Sequence, residues 1–243
     1  MTETHKCIMS MSITYFVANM STVAEFLALL DAEPFSTSDV IATDCIASCE
    51  GGDVTCTVHY GLDPVKARAC DRTWTRFNDE LLAFVMGNFE GDERKEVFGT
   101  LSLEDAHWEW LAKAAHYRGD EYKWFFLMAN GEPQAACMIY HPKASVFGSG
   151  DIFYIEYVAT APWNRPNPYK PRVLKGAVPL LLRHVIQYAH AVLNLRYGFS
   201  LHALPKACSF YERIGMTPHP KFDKDPLAFY EMEQEKAQTF VEA

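Results

Sequence analysis

At 243 residues, 49% hydrophobic and 22% charged, the chain has material for a substantial core and is not disordered by composition. Its formal net charge of −9 disfavours nucleic-acid binding by bulk electrostatics and suits a cationic or amine partner. No apolar run approaches the ~20 residues of a membrane span, and the fairly apolar stretch from Ile8 to Ala18 is interrupted by Met, Ser, Thr and Tyr.

The seven cysteines (Cys7, Cys45, Cys49, Cys56, Cys70, Cys137 and Cys208) are odd in number and scattered. No disulfide framework follows, and a cytoplasmic, reducing setting is expected. Cys45, Cys49, Cys56 and His59 could suggest zinc. Alternation from Val54 to Tyr60 would point Cys56 and His59 to opposite faces, so no metal is expected.

Val23, Phe26, Leu27 and Leu30 have the spacing of a short amphipathic helix, broken by Asp31 to Ser38. Glu50-Gly-Gly-Asp53 reads as a turn, and Val54 to Tyr60 as the first strand of a sheet. From Asp71, the residues Trp74, Phe77, Leu81, Leu82, Val85 and Met86 form a helix face. Ser102-Leu-Glu-Asp105 looks like a helix start with an acid at its third position, and Trp108, Leu111, Ala112 and Ala115 continue that helix. Trp124 to Ala129 and Ala135 to Tyr140 read as a hairpin, because Asn130-Gly131 favours a type I′ turn.

Asp151 to Thr160 is aromatic and β-branched, as a buried strand should be. Alternation puts Ile152, Tyr154, Glu156 and Val158 on one face and Phe153, Ile155, Tyr157 and Ala159 on the other. Glu156 is the only charge between Ile152 and Ala159. Desolvation would raise its pKa toward the range of a general base. The alternative is a Glu paired with a neighbouring Arg or Lys, or one at the solvated end of the strand.

Pro162 to Pro171 holds four prolines and is stiff and extended. Trp163, Asn164, Arg165 and Tyr169 would either rim an acceptor site or belong to a rigid surface connection. Next, Leu180, Leu181, Val185, Ile186, Ala189, Val192 and Leu193 recur at helical spacing. Gly176 allows a tight turn and Pro179 suits the helix's first turn, so Lys175 to Pro179 offers unpaired N–H groups to a phosphate. Leu195 to Leu201 reads as a second strand, with His202 just past it. Pro205 to Ile214 reads as a short helix ending at Gly215. Phe210 and Ile214 make its core face. Tyr211, one position round, could reach a groove with its hydroxyl or sit as a rim tyrosine.

The order of these parts resembles the GNAT superfamily of acyl-coenzyme A N-acyltransferases. The carriers are Tyr154-Ile-Glu-Tyr-Val158 and Leu204-Pro-x-Ala207-x-x-Phe210-Tyr211-Glu-Arg-x-Gly215-Met216. The resemblance covers the chain from about Cys70 onward. It implies an α/β (α+β) fold: a mixed central sheet, splayed between its fourth and fifth strands and flanked by helices. Residues 1–69 would be an N-terminal extension leading into the first strand of the sheet, and 70–243 the acetyltransferase domain.

The resemblance implies acetyl transfer from acetyl-CoA to a primary amine by direct attack, with Glu156 as base and Tyr211 as acid. Lys175, Gly176, Ala177, Val178 and Pro179 would hold the pyrophosphate. Tyr157, Val158 and Ala207 would complete the cofactor groove. The family's loop signature, Gln/Arg-x-x-Gly-x-Gly/Ala, meets Val173 and Val178 at its first and last positions here. The alternative reading is therefore a non-catalytic acyl-CoA-binding or interaction domain. The acceptor would be an amine-bearing small molecule or a protein amine, with no nucleic-acid or membrane partner. Self-association as a homodimer is left open.

Overall fold

The computed structural model describes residues 37–148 and 150–242, together with Ala24 and Ala28. The helix expected from Val23, Phe26, Leu27 and Leu30 lies outside the described residues. Eight strands form one sheet in the order β1-β2-β3-β4-β5-β6-β8-β7. They are β1 (Asp39–Ala47), β2 (Asp53–Tyr60), β3 (Tyr122–Ala129), β4 (Glu132–Ala144), β5 (Asp151–Thr160), β6 (Phe199–Ala203), β7 (Thr217–Pro218) and β8 (Ala228–Met232). Only β5 and β6 run parallel. Their crossover carries helix α4 (Ala177–Ala191). Before β3 come α1 (Pro64–Asn88), α2 (Gly91–Thr100) and α3 (Trp110–His116); α5 (Cys208–Arg213) follows β6 and α6 (Gln234–Glu242) follows β8.

The strand expected first, Val54 to Tyr60, is the second. β1 pairs along it through the turn at Glu50 to Gly52. The hairpin at Asn130-Gly131 forms as its chemistry dictates, with φ of 53° and 76° at the two residues.

The sheet buries both faces, and alternation sorts the residues between them. Phe125, Leu127, Cys137, Ile139, Phe153 and Ile155 pack with Leu181, Leu182, Val185 and Ile186 of α4. Trp124, Phe126, Ala136 and Met138 pack on the opposite side with Trp74 of α1 and Trp110 of α3. The indoles of Trp74, Trp110 and Trp124 meet edge-on, at centroid distances of 5.8 and 6.3 Å.

Four boundaries differ from the sequence expectation. Helix α1 begins at Pro64, before Asp71, because the Asp63 carboxylate caps it by accepting from the Lys66 N–H at 3.0 Å. Ser102 to Glu109 forms turns, and the helix starts only at Trp110. Its cap comes from α1: Asp71 accepts from the N–H groups of Trp110 and Leu111 at 2.6 and 2.9 Å. No local motif could reveal a cap 39 residues away. The second strand of the crossover starts at Phe199, after Gly198. A Cβ on Gly198 would lie 2.7 Å from the carbonyl oxygen of Met232, and its φ is +127°. Helix α4 ends at Ala191, so Val192 is 54% exposed instead of extending the core face.

Asp71→Ala should lower stability by about 1–2 kcal/mol, the range for loss of a capping side chain. Urea unfolding followed by tryptophan fluorescence measures this. An unchanged midpoint would mean that α3 is held by its apolar face alone.

Candidate functional site

The site begins with a break in the pairing of β5. Its parallel ladder to β6 contains only Phe153↔Phe199, Tyr154↔Ser200 and Ile155↔Leu201. Beyond Ile155 the two strands separate, so the splay lies between the fifth and sixth strands of this chain; β1 adds one to the expected count. On its other edge β5 pairs Ile155 with Ile139 but Tyr157 with Met138. Glu156 is therefore the extra residue of a bulge. This overturns the simple alternation read from the sequence. Phe153 and Ile155 face α4, yet Val158 packs on that side too, while Tyr157 and Ala159 join the tryptophan layer.

A cleft of about 750 Å³ opens where the strands part. Glu156, Tyr157, Val158, Gly176 to Pro179, Ala207 and Tyr211 line it, so residues far apart in sequence share one space. Glu156 is half-buried and makes no hydrogen bond or ion pair among the described residues. Desolvation raises its pKa from the ordinary 4.5, opposed by the charges of Lys224 and Lys143.

Beside it, the Tyr154 hydroxyl and His202 Nδ1 are 2.6 Å apart. His202 Nε2 lies 2.9 Å from the carbonyl oxygen of Phe222, which can only accept. Nε2 therefore carries the proton and Nδ1 accepts from Tyr154. Burial lowers the pKa of His202, which keeps this neutral tautomer.

Helix α4 opens toward the cleft with Gly176 as its cap, at φ 80°. No atom lies within 4 Å of where a Gly176 Cβ would stand. The first intrahelical bond joins the Leu180 N–H to the Gly176 carbonyl. The N–H groups of Gly176, Ala177 and Val178 make no backbone bond among the described residues, and Pro179 has none to give. The turn is held from outside. The Cys49 N–H donates to Val173 O at 2.9 Å and the Lys175 N–H donates to Ala47 O at 2.9 Å. The end of β1 thus fixes the approach to this helix. The exposed Arg172 and Arg213 border the cleft; Lys175, also exposed, does not line it.

On α5, Tyr211 is only 6% exposed and packs in the core cluster, while Phe210 and Ile214 are half-buried. The expectation that Phe210 and Ile214 form the core face and Tyr211 stands beside it is thus reversed. The six-residue helix lies against the cleft, and both Phe210 and Tyr211 line it. The Tyr211 hydroxyl has no hydrogen-bond partner among the described residues, and burial pushes its pKa well above the ordinary 10.

The proline-rich segment is tied down throughout. Trp163 Nε1 and Asn164 Nδ2 each donate to Gln134 Oε1 at 2.9 Å, and Asn164 Oδ1 accepts from the Leu174 N–H at 2.9 Å. Arg165 forms a two-pronged pair with Asp105 and donates to the Thr160 carbonyl. The Tyr169 ring packs on Phe77 and Phe84, and its hydroxyl donates to Glu80 at 3.2 Å. Asn164 and Arg165 line the cleft; Trp163 and Tyr169 do not. Gln134 carried no sequence signal, and the partners that give Asp105 and Tyr154 their place here, Arg165 and His202, lie on other elements.

No family model matches the chain, and no curated protein does. Solved structures of similar fold include the GNAT domain of S. lividans PAT, at 14% identity and TM-score 0.47, covering 78% of this chain and 96% of that one. An uncharacterized protein from Bacillus halodurans aligns at 12% identity and TM-score 0.49, covering 84% and 96%. An acetyltransferase from Agrobacterium tumefaciens aligns at 15% and 0.43, covering 81% and 96%. At such identity the likeness says nothing about substrate or residue roles. The mixed sheet, its splay after Ile155 and the Gly-capped helix in the crossover are what the resemblance implied.

Asn164→Ala removes two buried hydrogen bonds and leaves the Leu174 N–H without its acceptor. The expected cost is about 1–3 kcal/mol in denaturant unfolding. A loss below about 0.5 kcal/mol would show that the Pro162 to Leu174 segment is fixed by its prolines instead.

Proposed function

We propose that this chain is an acyl-CoA-dependent N-acetyltransferase acting on a primary amine by direct attack. The observation that carries this reading is the convergence, in one cleft, of an unpaired carboxylate on a bulge, a buried unpartnered phenol and the open N-terminus of α4.

The residues fit the donor. Gly176 leaves space before the helix, and the N–H groups of Gly176, Ala177 and Val178 with the positive end of the helix dipole suit a pyrophosphate. These donors belong to the backbone, so Val173 and Val178 do not abolish them. Arg172 and Arg213 add positive charge at the rim. Beyond Ile155, the edge of β5 that faces β6 carries no ladder, leaving backbone groups near Val158 for the pantetheine arm and for the carbonyl that gains charge during transfer. Acetyl-CoA supplies an activated acetyl thioester.

Glu156 takes the proton of the incoming ammonium, directly or through a water. Its raised pKa and lack of an ion-pair partner suit that role. Tyr211 stays protonated across the working range and gives its proton to the departing sulfur. Ala207 borders the cleft beside Tyr211 and leaves room for the thiol end. On the acceptor side, Asn164 and Arg165 hold the wall in place through Gln134 and Asp105.

Glu156→Gln should lower turnover by roughly 10²–10⁴-fold while acetyl-CoA affinity stays near wild type. In the wild type, kcat/KM should fall as pH drops through an apparent pKa above the ordinary 4.5, because the carboxylate is the active form. That acid limb should vanish in the variant. Loss of folding with activity per folded molecule retained would make Glu156 structural.

Tyr211→Phe should cost about 10- to 100-fold in turnover. A thiolate is already a good leaving group and needs less help than an alkoxide. The ring remains, so stability should barely change. An unchanged rate would mean that water protonates the thiolate.

A further inference from the structure

The part of the cleft around Glu156 is walled by aromatic rings. Tyr122, Tyr140 and Tyr154 are direct cross-strand partners on β3, β4 and β5, so their side chains share one face of the sheet. Tyr117 packs on Tyr122 at 4.9 Å, and Trp108 meets Tyr157 edge to face at 4.9 Å. All six are half-buried, whereas Trp74, Trp110 and Trp124 beneath them are fully covered. Trp108, Tyr154 and Tyr157 line the cleft together with Glu156. Half-buried rings on an open wall offer apolar faces and edges to a flat partner.

The charges around this wall narrow the choice. Lys113 Nζ stands 3.7 Å from the centroid of the Tyr157 ring and 5.5 Å from that of Trp108. Lys143 and Lys224 both act on the Glu156 carboxylate. None of the three forms an ion pair with a carboxylate among the described residues. Of the other acidic residues that line the cleft, Asp105 pairs with Arg165 and Glu104 accepts from the Lys206 N–H at 3.1 Å. The cleft lining therefore holds one unengaged carboxylate, Glu156, for one ammonium. A polyamine would bring its further charges into surroundings that already hold three lysines, with no second unengaged carboxylate in the cleft lining. An amino sugar would need converging hydrogen-bond groups, and the Tyr154 hydroxyl is already committed to His202.

We infer that the acceptor is a monoamine carrying an aromatic ring, its nitrogen at Glu156 and its ring against Trp108 and Tyr157. This rests on the acetyltransferase reading above. Trp108 sets specificity by contact with the ring and takes no part in proton transfer.

The test measures coenzyme A release by the full chain with acetyl-CoA and tyramine, spermidine or glucosamine, alongside calorimetric binding of acetyl-CoA alone. Tyramine should give the highest kcat/KM by at least about tenfold. Trp108→Ala should raise the KM for tyramine by about two- to tenfold, the size of one ring–ring contact, and Trp108→Phe should recover most of it. Unchanged acetyl-CoA binding checks that each variant is folded. Preference for spermidine or glucosamine, no turnover of tyramine by a protein that binds acetyl-CoA, or an unmoved KM in Trp108→Ala would overturn this inference and leave the acetyltransferase reading standing. Absence of acetyl-CoA binding would overturn both.

Discussion

The site depends on β5 losing its partner. Three residue pairs tie β5 to β6, and from Glu156 onward the strand is paired on one edge only. A strand edge inside a folded domain must either find other partners or face a space where a ligand or water can serve. Here it faces the cleft. The bulge at Glu156 and the splay are neighbours in the chain, so the carboxylate is re-aimed at the point where the sheet opens. The same bulge returns Val158 to the α4 side and Tyr157 to the tryptophan side.

The surroundings of the cleft divide its chemistry. One end has the open N–H groups of α4 with Arg172 and Arg213, a setting for phosphate oxygens. The other has Glu156 among tyrosines and lysines. The two are held at fixed separation by connections with little freedom. β1 grips the segment before Gly176, while Gln134 and Asp105 fix the start of the proline-rich segment to the sheet and to the turns before α3. A site built from loops has ordered walls when those loops are bonded to strands.

Much of this was legible in the sequence because it rests on local chemistry. The Asn130-Gly131 hairpin, the Gly176 turn, the amphipathic α4 and the lone charge of Glu156 on its strand were readable from spacing, turn propensity and sequence composition. What escaped reading was non-local. The bulge is a mismatch between two strands and has no mark on either alone. The cap of α3 comes from Asp71 on another helix. Tyr211 is covered by elements that a helical wheel of six residues cannot represent. For Trp163 and Asn164 the sequence left an acceptor rim and a rigid connection both open, because the proline-rich stretch hides the buried Gln134 to which both are bonded. The tyrosine row of Tyr122, Tyr140 and Tyr154 becomes visible only once the strand register is known.

The measurement that bears most directly on the central claim is calorimetric titration of the full chain with acetyl-CoA at low and moderate salt. A cleft that takes phosphates at the α4 N-terminus and an acyl arm along β5 predicts one-to-one binding. Its affinity should weaken as salt screens Arg172, Arg213 and the helix dipole. Binding with no salt dependence would contradict the phosphate site at α4, and no detectable binding at millimolar acetyl-CoA would contradict the acyltransfer account as a whole.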